Sequence, residues 1–354
     1  MTTATPTMTQ AEELLERLDE LGVPSELVDV INAPQLTRFM IKPASPKVRM
    51  QDYRRLNRAD DLAYVLEAQR VRIIAPVPGR SVVAIETDRK DRRLVSLADL
   101  PRAVTSSLCV PIGIDTENRP TILDIGSSPH VMISGTTGSG KTTCLHTILC
   151  SLLKVASPDQ LQLLLLDAKR TELVKYEHLP HVAAPIADSP QEAIRQLEGA
   201  VLTMERRFGV MHDLGAKDIT EANEIIRSYG QKEMPLIMIV ADEMAELIMT
   251  GPEAESLIIR LAQKGRSAGI HLVLATQYPK REIISGLMRA NLPTKIAFSV
   301  SDAVASRVAL GENGAEKLLG RGDGLLSFAG LPSVRFQSAY ASEVDTAEII
   351  ERWL

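Results

Sequence analysis

Aromatic side chains are scarce. One Trp, six Tyr and five Phe stand among 354 residues, so aliphatic and Met side chains must fill the core. Cysteine is scarcer still. Cys109, Cys144 and Cys150 are too few and too irregularly spaced for a disulfide framework or a zinc site. Apolar runs such as 163–166 and Leu236–Ala241 fall far short of the ~20 residues a membrane helix needs. No cationic stretch followed by an apolar one opens the chain, so no secretory leader is read there. These absences predict a reduced, cytoplasmic protein with no membrane segment. Positive charge is not in excess either: 40 Lys and Arg face 45 Asp and Glu, a net charge of −5. A wholly basic nucleic-acid coat protein is excluded, though local basic surfaces are not.

The charge that is present is unevenly spread. Residues 1–30 carry one Arg against seven acids, residues 31–106 fifteen Lys and Arg against eight acids, and residues 107–354 twenty-four against thirty. The expected division is a tail with a short helix (1–30), a basic small α+β domain (31–106) and a large domain (107–354). Residues 1–10 are Thr-rich and read as disordered, and 11–21 read as an amphipathic helix with Leu14, Leu15, Leu18 and Leu21 at helical spacing. In the small domain, 36–42, 71–74 and 82–86 are strand-like and 59–68 helical. No internal repeat or low-complexity tract occurs.

Beyond residue 107, short aliphatic strands at 130–134, 161–166, 236–241, 272–275 and 295–300 alternate with helices near 141–155, 190–213, 253–268 and 302–309. Near-continuous aliphatic strands are buried on both faces, which predicts an α/β unit with a mostly parallel sheet covered by helices. The 190–213 helix has full start and stop signals. Ser189 is its N-cap, Pro190 its first position and Glu192 the partner in a capping box. Ile194, Leu197, Val201, Met204, Phe208 and Met211 form its apolar stripe, and Gly215 ends it.

The strongest chemical signal is Gly135-Thr136-Thr137-Gly138-Ser139-Gly140-Lys141-Thr142, followed by Thr143. It matches the Gly-x4-Gly-Lys-Ser/Thr phosphate loop in full, between an aliphatic strand and a helix. The glycines let successive N–H groups turn toward phosphate oxygens, and the helix N-terminus adds its positive dipole end. Lys141 reaches the β- and γ-phosphates, and the Thr142 hydroxyl is a Mg²⁺ ligand. A second apolar strand, 236–241, ends in Asp242 and Glu243. Asp242 would hold Mg²⁺ through water, and Glu243 would polarise the attacking water. A third strand ends in Thr276 and Gln277, with Gln277 a candidate sensor of the γ-phosphate. The Asn-Lys-x-Asp run that specifies guanine is missing, so ATP is the expected nucleotide.

Further segments extend the pattern. They include Asp167-Ala168-Lys169, Met204 to Phe208, Val240 to Leu247, Arg260 to His271, Leu274 to Gln277, Gly286 to Phe298 and Gly314 to Gly320. Together with the phosphate loop, they resemble the motor of the FtsK/SpoIIIE family of double-stranded-DNA translocases, over nearly all of 107–354. Residues 31–106 resemble the small domain that precedes it. The resemblance implies a RecA-like P-loop ATPase that assembles as a hexameric ring around duplex DNA, with ATP at subunit interfaces. It implies a trans-acting arginine, for which Arg266 holds the family's position and Arg260 is second. It also implies DNA-contacting loops bearing Lys280, Arg281 and Arg307. Tyr278 and Ala303 stand where the family usually has Arg and Lys, and Ala168 where it has Pro. No winged-helix module or membrane anchor is read, so a free-standing soluble motor is expected. The alternative reading is an ATPase of the same family that drives protein secretion or substrate transfer.

Overall fold

The structure, a computed structural model, describes residues 6–56, 60–68, 71–89, 91–101, 108–328 and 331–354. The chain divides into two compact units, residues 1–94 with 114–119, and residues 95–113 with 120–354.

In the first unit α1 (Pro6–Glu20) is followed by β1 (Ser25–Asn32), β2 (Leu36–Pro43), α2 (Met50–Arg55), α3 (Asp60–Val65), β3 (Val71–Ile74) and β4 (Val83–Asp88). The strands form an antiparallel sheet in the order β1-β2-β4-β3. Leu14 and Leu18 of α1 pack with Phe39, Tyr53, Leu62 and Ile85 into its core. A tail ending at residue 30 would cut through β1, so the expected division there is not the one observed: α1 and β1 belong to this unit because their apolar faces complete its core. Residues 6–10 begin α1 rather than a disordered arm. Residues 1–5, the first residue of the helix expected at 59–68, Lys90 of the basic run 89–93 and the boundary expected at 106/107 lie outside the described residues. Arg38 is buried within this unit between Glu86 (3.7 Å) and Glu117 (3.5 Å), and donates to Thr116 Oγ1 at 2.8 Å. Two carboxylates and a hydroxyl are what a buried guanidinium requires.

The second unit is built on β5 (Cys109–Asp115), β6 (Pro120–Asp124), β7 (His130–Ser134), β8 (Leu161–Leu166), β9 (Leu236–Ala241), β10 (Ile270–Thr276), β11 (Thr294–Ala297), β12 (Asp323–Phe328) and β13 (Val334–Ser338). They lie in the order β6-β5-β13-β12-β11-β7-β10-β9-β8. The block β11-β7-β10-β9-β8 is parallel, as the aliphatic strands predict, whereas β12 pairs antiparallel with both β11 and β13. The helices are α4 (Lys141–Leu153), α5 (Pro190–Leu214), α6 (Ile219–Ser228), α7 (Met244–Thr250), α8 (Glu253–Lys264), α9 (Gly286–Asn291), α10 (Ala303–Leu310) and α11 (Glu343–Glu351). No helix among the described residues is long and apolar enough to cross a membrane.

Leu197, Val201 and Met204 of α5 pack with α8 residues onto Ile239, Leu272 and Leu274 of the sheet. The Ser189 side chain caps α5 by accepting from the Glu192 N–H, but Glu192 reaches back to the Asp188 N–H rather than to the cap itself. Gly215 closes the helix in the left-handed conformation, φ +69°. The helix expected at 253–268 ends at Lys264. A tight 3-10 turn, Gly265–Ala268, takes over where a Cβ on Gly265 would stand 2.9 Å from the Ile270 carbonyl. Arg207, buried on α5, donates to the carbonyls of Ala268 (2.7 Å) and Pro235 (2.6 Å) and so ties α5 to the starts of β10 and β9. Burial lowers its pKa to about 10, still well above neutrality.

A candidate nucleotide site at the parallel strand ends

All five residues of β7 are buried, and the chain leaves its C-terminal end directly into the glycine-rich loop. The loop is pinned from both sides. The Gly135 N–H donates to the Thr276 carbonyl (3.2 Å), and both the N–H and hydroxyl of Thr136 donate to the Ser299 carbonyl (2.9 and 3.0 Å). From below, the Gly322 N–H donates to the Ser139 carbonyl at 2.7 Å. Gly140 caps α4 at φ +115°, and a Cβ there would lie 2.5 Å from the Gly322 nitrogen. With the loop fixed in this way, the backbone N–H groups of Thr137, Gly138, Gly140, Lys141, Thr142 and Thr143 find no acceptor among the described residues. Six unpaired donors at a helix N-terminus form an anion nest. The Ser139 hydroxyl is buried without a protein partner as well. This donor set fits a polyphosphate.

Lys141 is 3% exposed, and its Nζ donates to the Asp242 carbonyl (2.9 Å) and to Asp242 Oδ1 (2.8 Å). An ammonium has three protons, so one donor remains for a phosphate oxygen. Asp242 and Glu243 follow the end of β9. Glu243 Oε1 accepts from the Thr276 hydroxyl at 2.7 Å and Oε2 from the Gln277 N–H at 2.9 Å, across from the neighbouring β10. Gln277 Oε1 accepts from the Thr137 hydroxyl at 2.9 Å. The fold therefore brings the loop, Lys141, Thr142, Asp242, Glu243 and Gln277 to one end of three adjacent strands. Asp242 Oδ2 and the Thr142 hydroxyl are the protein groups that suit Mg²⁺. Among the described residues no group of three or more His, Cys, Asp or Glu is placed to hold a metal ion.

The sequence places Thr276 beside Gln277 at a strand end near the γ-phosphate but gives no sign of its bond to Glu243. The Arg321–Gly322 turn has no signal in the motifs, because Gly322 lies far down the chain.

Asp167 acts on the loop after β8, accepting from the N–H groups of Lys169, Glu172 and Leu173. On α4, His146 bonds the Tyr176 hydroxyl (3.0 Å) and Glu172 (3.3 Å), and burial lowers its pKa. Burial raises Cys144 to about 12 and raises Cys150 too, which keeps both as packed thiols. His181 packs edge-on against Trp353, with its Nε2 at 3.0 Å from the Ala156 carbonyl.

Other predicted residues lie apart from the phosphate loop. Lys280 and Arg281 are exposed in the loop after β10, at the same end of the sheet. Arg307 stands on α10 and donates to Asn313 at 2.8 Å. Arg266 lies in the turn before β10, whereas the site is at the strand's other end. Six residue steps of β-strand separate Ile270 from Thr276, a span of about 20 Å. Arg266 is exposed, and it cannot reach the phosphate loop of its own chain. Arg260, the second candidate, is on the surface and paired with Glu205 at 3.0 Å.

A parallel block with a phosphate loop after β7 and an acid pair after β9 defines a RecA-like P-loop ATPase fold. The FtsK/SpoIIIE family profile matches residues 95–281 and that of the FtsK alpha domain residues 2–88. The chain belongs to the FtsK/SpoIIIE family. Among curated proteins it is similar to the DNA translocase FtsK of Lactiplantibacillus plantarum, at 38% identity over 96% of this chain and 44% of that protein. It is also similar to the DNA translocase SftA of Bacillus subtilis, at 37% over 94% and 36%. The chain thus spans under half the length of these relatives. Among solved structures, the pCW3 conjugation coupling protein TcpA has the same fold, with a TM-score of 0.69 at 21% identity, covering 97% of this chain and 99% of that one. The cytoplasmic domain of the Thermomonospora curvata type VII secretion ATPase EccC is 32% identical with a TM-score of 0.64, over 72% of this chain and 31% of that one.

Proposed function

We propose that the chain is an ATP-driven double-stranded-DNA translocase that works as a hexameric ring. The observation that carries this reading is the continuity of β10. It ends at Thr276, Gln277 follows beside Glu243, and the loop beyond carries exposed Lys280 and Arg281. A single strand end thus joins the hydrolytic groups to a cationic surface.

In the proposed reaction, the loop N–H groups and Lys141 bind the β- and γ-phosphates and stabilise the charge that develops on them. Mg²⁺, held by Thr142 and Asp242, would supply further charge neutralisation at the phosphates. Glu243 orients the attacking water and takes its proton, and Gln277 reports the state of the γ-phosphate to Thr137 and to the loop that follows. Arg266 serves the site of a neighbouring subunit. Lys280 and Arg281 grip phosphates of the duplex without reading its sequence, with Arg307 as a further contact.

The ATPase rate, measured with and without linear duplex DNA over a salt series, tests the reading. The expected result is strong stimulation by duplex that fades with salt and disappears in Lys141→Ala. Hydrolysis indifferent to DNA would reject it and favour a protein cargo. That second reading is supported by the likeness to the secretion ATPase EccC at 32% identity.

A further inference from the structure

Glu243 and the exposed loop after β10 meet at one side chain, that of Thr276. It is the last residue of β10 and completely buried. Its hydroxyl donates to Glu243 Oε1 at 2.7 Å and accepts from the Tyr278 N–H at 3.0 Å. The hydroxyl has a single proton. The Tyr278 N–H occupies a lone pair and so turns that proton toward Glu243. Oε1 also accepts from the Ala245 N–H at 3.2 Å, and Oε2 from the Gln277 N–H at 2.9 Å. Both lone pairs of Oε1 are thus engaged by the protein, and the carboxylate is fixed in direction. No water competes for a hydroxyl buried this deeply, so the contact persists as long as Tyr278 stays in place.

Tyr278 lies between Gln277 and buried Pro279, with its own side chain on the surface. It is 54% exposed, and the Lys280 N–H donates back to its carbonyl at 2.8 Å in a one-residue turn. A pull on Lys280 is therefore felt at Tyr278. Lys280 and Arg281 make no ion pair among the described residues, so both charges face outward for a polyanion.

We infer that Thr276 is a positioning residue: its hydroxyl restrains Glu243, and a polyanion bound on residues 280–281 lifts the restraint by drawing Tyr278 away. The inference rests on the reading of the chain as a DNA-stimulated ATPase and supplies the link between track and chemistry.

The test compares the full chain with Thr276→Val, which keeps the branched shape without the hydroxyl, and Thr276→Ser, which restores it. Without DNA, T276V should hydrolyse ATP about five-fold faster, the factor one hydrogen bond of ordinary net strength sets. Stimulation by linear duplex should shrink by a similar factor, and T276S should behave as the native chain in both. A basal rate in T276V that is unchanged or lower overturns the restraint. An unchanged stimulation ratio overturns its release by polyanion. Thr276→Ala gives the same readout should melting show that T276V does not fold. The basal arm needs no DNA. A native chain that ignores duplex thus rejects the DNA reading and the release with it, while the T276V rate still decides the restraint.

Discussion

Gly140 and Gly322 stand back to back, and neither has room for a side chain. A Cβ on Gly140 would lie 2.5 Å from the Gly322 nitrogen, and one on Gly322 2.6 Å from Gln337 Nε2, each at positive φ. Left-handed backbone alone costs about 1–2 kcal/mol for a residue with a Cβ. Gly140→Ala is expected to lower Tm by about 4 °C or more and to weaken nucleotide binding, read by melting with and without ATP. Lys141→Ala removes both bonds to Asp242 and leaves that carboxylate unpaired near the base of the loop. It should abolish hydrolysis while the chain remains folded, checked by circular dichroism beside the rate.

At the scale of elements, β7 and β10 bury two imidazoles at their starts, the ends of the strands away from the site. His130 and His271 lie with ring centroids 6.5 Å apart. Burial, reinforced for His130 by its neighbour, pushes His130 down to about 3 and His271 down to about 4. Both are neutral in the folded chain at pH 7, yet both take up protons near pH 6.5 once unfolded. The unfolded state therefore binds more protons between about pH 4 and pH 6.5, and stability falls as the pH is lowered through that window. Each group contributes up to about 1.4 kcal/mol per pH unit. Tm measured from pH 7 to pH 4.5 should drop steeply, and His130→Leu should flatten the curve.

Such element-level features were partly legible in the sequence. The parallel strands are legible because aliphatic runs leave no other home for them, although the one expected at 295–300 spans only Thr294–Ala297. The long α5 was read because its cap, proline and glycine all survive in local chemistry. β1 escaped because its sequence, Ser25–Asn32, alternates only weakly and bulges between Leu27 and Asp29. β12 and β13 escape a local reading because what fixes them is pairing within the sheet, β12 with β11 and β13 with β12. The phosphate-loop motif is plain in sequence, whereas the contacts of Thr276 with Glu243 and of Gly322 with the loop are products of folding and have no local signature.

For the whole molecule, the distance of Arg266 from its own phosphate loop has a direct consequence. A site that needs this guanidinium is complete only in an assembly. Arg266→Ala should therefore lower the rate by a factor on the order of 10³ without weakening ATP binding to the isolated chain. Mixed with Lys141→Ala, it should recover part of the activity that neither variant has alone, as measured by steady-state hydrolysis over a range of mixing ratios.

The first unit is a body but not a segment. Six of its residues, 114–119, are spelled out later in the chain, at the end of β5 and in the turn to β6. Among them are Thr116 and Glu117, which help to satisfy buried Arg38. Exchange of this unit by a single cut near residue 94 would carry Arg38 with Glu86 but leave its second carboxylate, Glu117, and the Thr116 hydroxyl behind. A graft that keeps all three partners of Arg38 has to proceed in two pieces, residues 1–94 and 114–119.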